Sequence, residues 1–402
     1  MENEIVSMVA NLMHATPEVK GSFTSGGTES ILMAIKTARD YSKKVKPEIT
    51  SPEIVLPITA HPTFSKAIHY FGIKAKYVDV DETFAAIPAK MEAEITNNTI
   101  LIVASAPSYP QGRLDPIEKI GAIALKHNLL FHVDACIGGF MLPFIEKITN
   151  QKLPYDFRVP GVTSMSVDLH KFGYAAKGAS TVLYKTKELR KCQFSVYTNW
   201  PGGVYGSSTV TGSRPGGAIA AAWAALMGIG NDGYLELAKR SWIAFNKIKD
   251  FIDKNQLLEV MGDPCMTIIS FTSKKIDMFE LADELSILGW HFERLCDPPG
   301  IHLTVSQIHF DYTDDFINDL NTALEITLNN KGGLFKKIKF ETAARLLNIL
   351  PKNVIEKIQS NFTGKSKRVA PIYGMLGSIE EKEDADELVL NLLDKINTLE
   401  ED

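Results

Sequence analysis

Thr99-Ile100-Leu101-Ile102-Val103-Ala104 is a continuous apolar run of strand length. A strand with one wet face alternates apolar and polar residues. A run without alternation is expected where both faces are buried, as in a parallel sheet covered by helices. Working outward, similar runs recur at Ile54 to Ile58, Ala75 to Val80, Leu129 to Val133, Thr163 to Val167 and Ala179 to Tyr184. Helical patterns lie between them. One spans Pro62 to Phe71. Another spans Pro116 to His127, with Ile117, Ile120, Ile123 and Ala124 on one stripe. This alternation, from about residue 20 to 190, predicts an α/β fold with a mostly parallel sheet.

Beyond it, Pro215-Gly216-Gly217 leads into an Ala-rich helical stretch from Ala218 to Met227. Gly228 to Gly233 breaks that stretch, and a second helical pattern runs from about Tyr234 to Asn255. From about residue 256 the pattern becomes α+β. Thr267 to Phe271 and Ile301 to Val305 read as strands, and Phe279 to Leu288 and Asp314 to Leu328 as helices. Lys331 to Gly377 is less regular, and a charged helix is expected from Glu383. The reading is a large domain over residues 1–240 and a smaller α+β domain over 241–402.

Composition sets the class. The chain has 402 residues, which is about two or three domains. It is 45% hydrophobic and 23% charged, with a net charge of −5 from 43 basic and 48 acidic residues. That excludes a disordered or polybasic chain. The densest basic cluster, Lys336, Lys337 and Lys339, is surrounded by acidic stretches, so no nucleic-acid partner is expected. No window approaches the roughly 20 apolar residues of a membrane span. Met1-Glu2-Asn3-Glu4 is acidic where a signal peptide is basic. Cys136, Cys192, Cys265 and Cys296 are scattered, without CxxC, and read as reduced thiols of a cytosolic protein.

Three motifs carry chemistry. Gly21-Ser22-Phe23-Thr24-Ser25-Gly26-Gly27-Thr28-Glu29-Ser30 precedes a helix with Ile31, Leu32, Ile35 and Ala38 on its apolar positions. Such a turn offers free backbone N–H groups and the positive end of a helix dipole, an anion site. The plain alternative is a Thr or Ser N-cap. His132-Val133-Asp134-Ala135-Cys136 puts a carboxylate at the end of a buried strand, facing the crevice where α/β proteins bind ligands. That carboxylate can hold a ring nitrogen protonated. His132 and Asp134 share a strand face and form a rival metal pair, but no second ligand pair stands out, so no metal is expected. In Asp168-Leu169-His170-Lys171-Phe172-Gly173-Tyr174, a lysine follows a buried strand. Desolvation there is expected to lower its pKa and free the amine for a Schiff base; a solvated loop lysine is the alternative.

Together these motifs resemble pyridoxal-5′-phosphate (PLP) enzymes of fold type I, in the decarboxylase-like group. Within it they are most similar to the sphingosine-1-phosphate lyase family. The words GSFTSGGTESI (Gly21 to Ile31), His61-Pro62, HVDACIGG (His132 to Gly139) and DLHKFGYAAKG (Asp168 to Gly178) carry the likeness. Gly212-Ser213-Arg214-Pro215-Gly216 and Pro371-Ile372-Tyr373-Gly374 add to it. The resemblance implies that Lys171 holds PLP covalently and that Asp134 pairs with its ring nitrogen. It implies that His61 stacks on the ring, where a helix-cap histidine is the plain alternative. Gly27, Thr28 and His170 would bind the cofactor phosphate, and Gly212 and Ser213 that of a partner subunit, so a homodimer with shared sites is implied. Lys177 would meet the substrate phosphate or move a proton, and Tyr373 would line the pocket. Tyr109, just after a strand end, is a further candidate.

The implied activity is retro-aldol cleavage of a phosphorylated sphingoid base to phosphoethanolamine and a long-chain aldehyde. An amino-acid decarboxylase and a non-catalytic PLP-fold binding protein are the alternatives. Two departures stand out. Ala176 takes a place where the family has proline. The likeness also begins inside the family pattern, at Glu4 to Val9, so the upstream segment that feeds the substrate-phosphate pocket is expected to be missing. The membrane anchor of eukaryotic relatives is likewise not expected, and a soluble, cytoplasmic chain is.

Overall fold

The computed structural model describes residues 1–329 and the single positions 370, 386, 389, 390, 393 and 394. Tyr373, the 336–339 lysines, the irregular stretch from Lys331 and most of the expected C-terminal helix lie outside the described residues. Two compact units emerge. The first comprises Met1–Ile243, Gly262–Ile268 and Val305–Gln307; the second comprises Ala244–Met261, Ile269–Thr304 and Ile308–Asp402.

The first unit opens with α1 (Glu2–Leu12), β1 (Lys20–Thr24) and α2 (Gly27–Val45). There follow β2 (Glu53–Pro57), α3 (Thr63–Phe71), β3 (Lys74–Val78), α4 (Pro88–Ala93) and β4 (Thr99–Ser105). Next come α5 (Ile117–Lys126), β5 (Leu130–Asp134), α6 (Leu142–Thr149), β6 (Ser164–Asp168) and β7 (Ser180–Tyr184). After α7 (Lys187–Lys191) comes a hairpin of β8 (Ser195–Trp200) and β9 (Gly203–Ser207). The helix α8 (Gly216–Lys254) then runs out of this unit. It is interrupted at Gly230, whose φ of 63° suits glycine, inside the predicted break.

Seven strands form one sheet in the order β1-β7-β6-β5-β4-β2-β3. Neighbours from β3 through β2, β4 and β5 to β6 are parallel, and β7 lies antiparallel between β6 and β1. The sheet is therefore mixed and mostly parallel, as expected. All seven residues of β4 are buried, because helices cover both faces. Ile102 and Ala104 join one core with Ile117, Ile120 and Ala124 of α5. Leu101 and Val103 point the other way, to Ile31 and Ile35 of α2 and Phe64 of α3. The period of two within β4 thus feeds two cores.

This topology places the site. The strands β2, β4, β5 and β6 run parallel, so their carboxyl ends share one edge of the sheet. Two antiparallel steps, β6 to β7 to β1, bring the end of β1 to that same edge. In register, Thr24 pairs Ser180, which pairs Asp168. One row over, Ser105 pairs Asp134, which pairs Ser166. The chain steps from β2 out to β3 and back to β4, a change of direction that opens a crevice at these ends.

In the second unit, β10 (Glu259–Val260), β11 (Ile268–Thr272), β12 (Glu293–Cys296) and β13 (Pro299–Thr304) form a sheet in the order β10-β11-β13-β12. Among the described residues this unit also holds the end of α8 from Ala244, α9 (Met278–Ile287) and α10 (His309–Asn329). Asp277 caps α9 by accepting the Phe279 and Glu280 amides.

Asp115, in the loop after β4, is buried, and its carboxylate accepts the Ser105 amide at 2.7 Å and the Ala86 amide at 2.9 Å. Burial raises its pKa to about 6, against these hydrogen bonds. Asp115→Ala should orphan two buried amides and cost about 1–3 kcal/mol for each. Urea midpoints followed by tryptophan fluorescence read this. A group whose pKa rises on folding stabilises below its unfolded pKa of 3.8 and loses that contribution as pH rises through about 6. The gap between wild type and variant should therefore narrow as pH rises from about 4 to about 6.

Candidate active site

Lys171 lies three residues beyond the end of β6. Its Nζ sits 3.0 Å from Asp168 Oδ2, at the last position of that strand. Asp168 is 1% exposed. His170 Nε2 approaches the same oxygen at 3.5 Å. The Ala179 amide donates to His170 Nδ1 at 3.2 Å, so the ring proton sits on Nε2, facing Asp168. Burial lowers the His170 pKa; Asp168 opposes this, while Lys177 and Lys171 reinforce it.

The pKa of Lys171 is a correction to the sequence reading. Burial does act to lower it, as expected. Cys136, Asp168 and Asp134 outweigh burial, and the pKa ends above the ordinary lysine value. Reading the strand alone weighed desolvation and left out the two carboxylates beside the amine. Asp134, 7% exposed at the end of β5, is the reciprocal case. Burial raises a carboxylate pKa, but the Lys171 charge, the Cys136 amide and thiol, and His132 together hold this one below the ordinary range. Asp134 Oδ1 accepts the Cys136 amide at 3.0 Å and the Ser166 hydroxyl at 2.9 Å.

His132, fully buried, lies two residues before Asp134 on the same strand face. Its Nδ1 meets Ser164 Oγ at 2.9 Å and its Nε2 meets Ser166 Oγ at 3.2 Å. Both ring nitrogens are thus engaged by hydroxyls, and the rival pairing of His132 with Asp134 on a metal gains no support. Among the described residues no cluster of three His, Cys, Asp or Glu side chains could hold a metal ion.

His61 lies beyond β2, half-buried. Burial lowers its pKa, with Asp134, Lys171 and Asp168 as the neighbouring charges, which locates it beside the same cluster. Its Nδ1 accepts the Thr63 amide at 3.2 Å and meets Thr63 Oγ1 at 2.9 Å, just ahead of α3, whose N-cap is Pro62. The expected Thr or Ser cap of α2 is not formed. Gly26 is the N-cap, with no side-chain bond. Glu29 reaches back instead: its Oε2 accepts the Ser25 amide at 2.6 Å, and its Oε1 accepts the Val210 amide at 2.9 Å. Among the described residues, no group accepts from the Gly27 or Thr28 amides, and Thr28 is exposed in that first turn.

Gly212 and Ser213 are exposed, in the loop leading to α8. Arg214 anchors this loop: it donates to Phe23 O at 2.8 Å and pairs with both Glu2 oxygens, at 2.6 and 2.9 Å. No hydrogen bond or ion pair among the described residues brings Gly212 or Ser213 to Lys171. Lys177 is exposed, near enough to His170 to disfavour its protonation. Tyr109 is half-buried against the hydrophobic core. Asp168, Cys136, Ser164 and Ser166 went unassigned from sequence. Asp168 stands inside the lysine motif, three residues before Lys171, and was the one within reach. The serines emerge only once β5 and β6 are paired in register.

These residues fit PLP. The first-turn amides of α2 are free for a phosphate, with His170 and Lys171 at hand. A Cβ on Gly27 would lie 2.8 Å from Asp168 Oδ2 and 2.9 Å from Cys136 Sγ, so only glycine leaves room at this helix end. Asp168 Oδ1 is buried without a hydrogen-bond partner among the described residues. Asp134 is held ionised at a strand end, as a protonated ring nitrogen requires.

Comparison with known proteins agrees. The pyridoxal-dependent decarboxylase conserved domain matches residues 1–274. A sphingosine-1-phosphate lyase of Arabidopsis thaliana is 41% identical over 398 residues, covering 98% of this chain and 67% of the relative. That of Dictyostelium discoideum is 40% identical, covering 99% and 69%. The structure of a sphingosine-1-phosphate lyase from Burkholderia pseudomallei superposes with a TM-score of 0.79 at 35% identity, covering 87% of this chain and 81% of that one. The chain thus spans about two thirds of the length of the curated relatives it matches.

Since Asp168 touches the Lys171 ammonium directly, Asp168→Asn should lower the Lys171 pKa in protein freed of cofactor. Reductive methylation at several pH values, read by peptide mass mapping, measures it. Lys171 should be slow to react at neutral pH in the wild type and faster in the variant. An unchanged pH profile would contradict the assignment.

Proposed function

The chain belongs to the sphingosine-1-phosphate lyase family of pyridoxal-dependent decarboxylases, and from that premise we propose that it cleaves phosphorylated sphingoid bases. Its cofactor is PLP. The bond broken is C2–C3 of sphingosine 1-phosphate, and the products are phosphoethanolamine and a long-chain aldehyde such as 2-hexadecenal. The observation that carries this reading is Lys171, held by Asp168 at the end of β6 beside Asp134 at the end of β5. Identity near 40% over almost the whole chain to lyases favours it over an amino-acid decarboxylase or a non-catalytic binder.

When bound, PLP is the electron sink for the pair released by the breaking bond. The residues do the rest. Lys171 would supply the amine that holds the cofactor. Asp134 keeps the proton on the ring nitrogen. The Gly27 and Thr28 amides and His170 orient the phosphate. His61, kept neutral by burial, offers a flat face for stacking on the ring. Lys177 binds the substrate phosphate or accepts the proton of the C3 hydroxyl. By the family resemblance Tyr373, which lies outside the described residues, would line the substrate pocket.

A homodimer completes the reading, with Gly212 and Ser213 serving the partner's cofactor. Its support is the β8–β9 hairpin, which leaves large apolar groups in solvent: Val204 is 78% exposed and Trp200 52% exposed, with Val196, Tyr197 and Tyr205 beside them. A patch of this kind marks an interaction surface. Among the described residues no helix is long and apolar enough to cross a membrane. All four cysteines are free, which fits the reducing cytoplasm.

Two assays run side by side test the activity. Purified protein with PLP should release aldehyde from a phosphorylated sphingoid base and no carbon dioxide from glutamate or tyrosine; carbon dioxide without aldehyde would sink the reading. Lys171→Ala should lose the visible absorbance of bound cofactor and lose activity by at least about a thousandfold. Trp200→Glu together with Val204→Glu should convert dimer to monomer in sedimentation velocity. A dimer unchanged by both charges would rule the hairpin out as the interface.

A further inference from the structure

His132 is fully buried, and its ring meets Asp134 only through the Ser166 hydroxyl. Its hydrogen bonds have a direction that can be worked out. Ser166 Oγ lies 2.9 Å from Asp134 Oδ1, and an ionised carboxylate only accepts, so the Ser166 hydroxyl donates there. A serine hydroxyl has one proton. Ser166 Oγ must therefore accept from its other neighbour, His132 Nε2, at 3.2 Å. That puts the imidazole proton on Nε2. Nδ1 then presents a lone pair, and Ser164 Oγ, 2.9 Å away, donates to it. Every bond points the same way: Ser164 to His132, His132 to Ser166, Ser166 to Asp134. Burial drives the His132 pKa down to about 4, against the pull of Asp134, so the ring is neutral and has one proton to place.

The ladder follows from register. His132 pairs Ser164 and Asp134 pairs Ser166 across the parallel β5–β6 pair, and alternate residues share a face. The Phe64 ring stands edge-on to His132, with centroids 5.9 Å apart, and limits its rotation. With the opposite tautomer, two lone pairs would meet at Nε2 and Ser166 Oγ, and the chain of donors would break.

We propose that His132 is a positioning residue, which with Ser164 and Ser166 forms a one-way hydrogen-bond relay that fixes the aim and ionised state of Asp134. The proposal rests on the reading that Asp134 pairs with the ring nitrogen of PLP. Hydrogen bonds to the charged form of a carboxylate favour that form, and the Cys136 amide also donates to Oδ1, at 3.0 Å. Two donors on one oxygen fix the carboxylate plane. The relay thus does for a buried carboxylate what outer ligands do for metal-bound histidines, which is to set orientation from behind.

Nitrogen-15 NMR of histidine-labelled protein, with and without PLP, reads the relay directly. His132 should be neutral at pH 7 and protonated on Nε2. A proton on Nδ1, or an imidazolium, would overturn the proposal whether or not any variant folds. PLP titrations of the apoprotein, followed by tryptophan fluorescence, give the second readout. Ser166→Ala and His132→Phe should each weaken PLP binding about tenfold, roughly 1.4 kcal/mol. Ser166→Thr, which keeps the hydroxyl, should stay within about threefold of wild type. Unchanged affinity in both Ser166→Ala and His132→Phe would overturn the positioning role. Neither readout uses a sphingoid substrate. Protein that passes both and releases no aldehyde would refute the lyase activity and leave the relay standing.

Discussion

Two carboxylates are buried at the ends of neighbouring strands, and one lysine answers both. Leaving a buried ion uncompensated costs several kcal/mol, so Asp134 and Asp168 are tolerable only with partners. Lys171 touches Asp168 at 3.0 Å and lowers the pKa of Asp134 by its charge. One positive charge cannot fully satisfy two negatives. Hydrogen bonds from the Cys136 amide and the Ser166 hydroxyl make up the difference at Asp134. At Asp168, Oδ2 carries Lys171 and His170, while Oδ1 has no hydrogen-bond partner among the described residues. That imbalance marks the cluster as a functional site more than a stabilising one.

The sheet explains why these groups meet. Parallel strands put their carboxyl ends on one edge, and helices on both faces keep ionised side chains out of the strand interiors, where only hydrogen-bonded neutral groups such as His132, Ser164 and Ser166 are buried. The charged residues can then appear only at the ends. Asp134 and Asp168 are each the last residue of their strand. The antiparallel β7 is what returns β1 to the same edge, bringing the N-terminus of α2 against Asp168 so closely that a Cβ on Gly27 has no room.

This logic also sets what was legible in the sequence. The strands β2, β4, β5 and β7 stood out because burial on both faces writes a largely apolar run. The strand β1 did not, because Lys20-Gly21-Ser22-Phe23-Thr24 holds a single large apolar residue and reads as part of a turn. The β8–β9 hairpin was missed for a different reason: its residues are nearly all exposed and show no core-facing alternation. At the site, the motifs and their order were readable, since each is a local word at a strand end. The direction of the Lys171 pKa and the partners of His132 were not. Both depend on which strand lies beside which, and on register to the residue.

The account stands on Lys171 as the residue that carries the cofactor between the two carboxylates. Borohydride reduction of PLP-loaded protein, followed by peptide mass mapping, tests this most directly. The account predicts the cofactor's mass on the peptide containing Lys171 and on no other lysine. The same mass on Lys177 or elsewhere, with Lys171 unmodified, would contradict it.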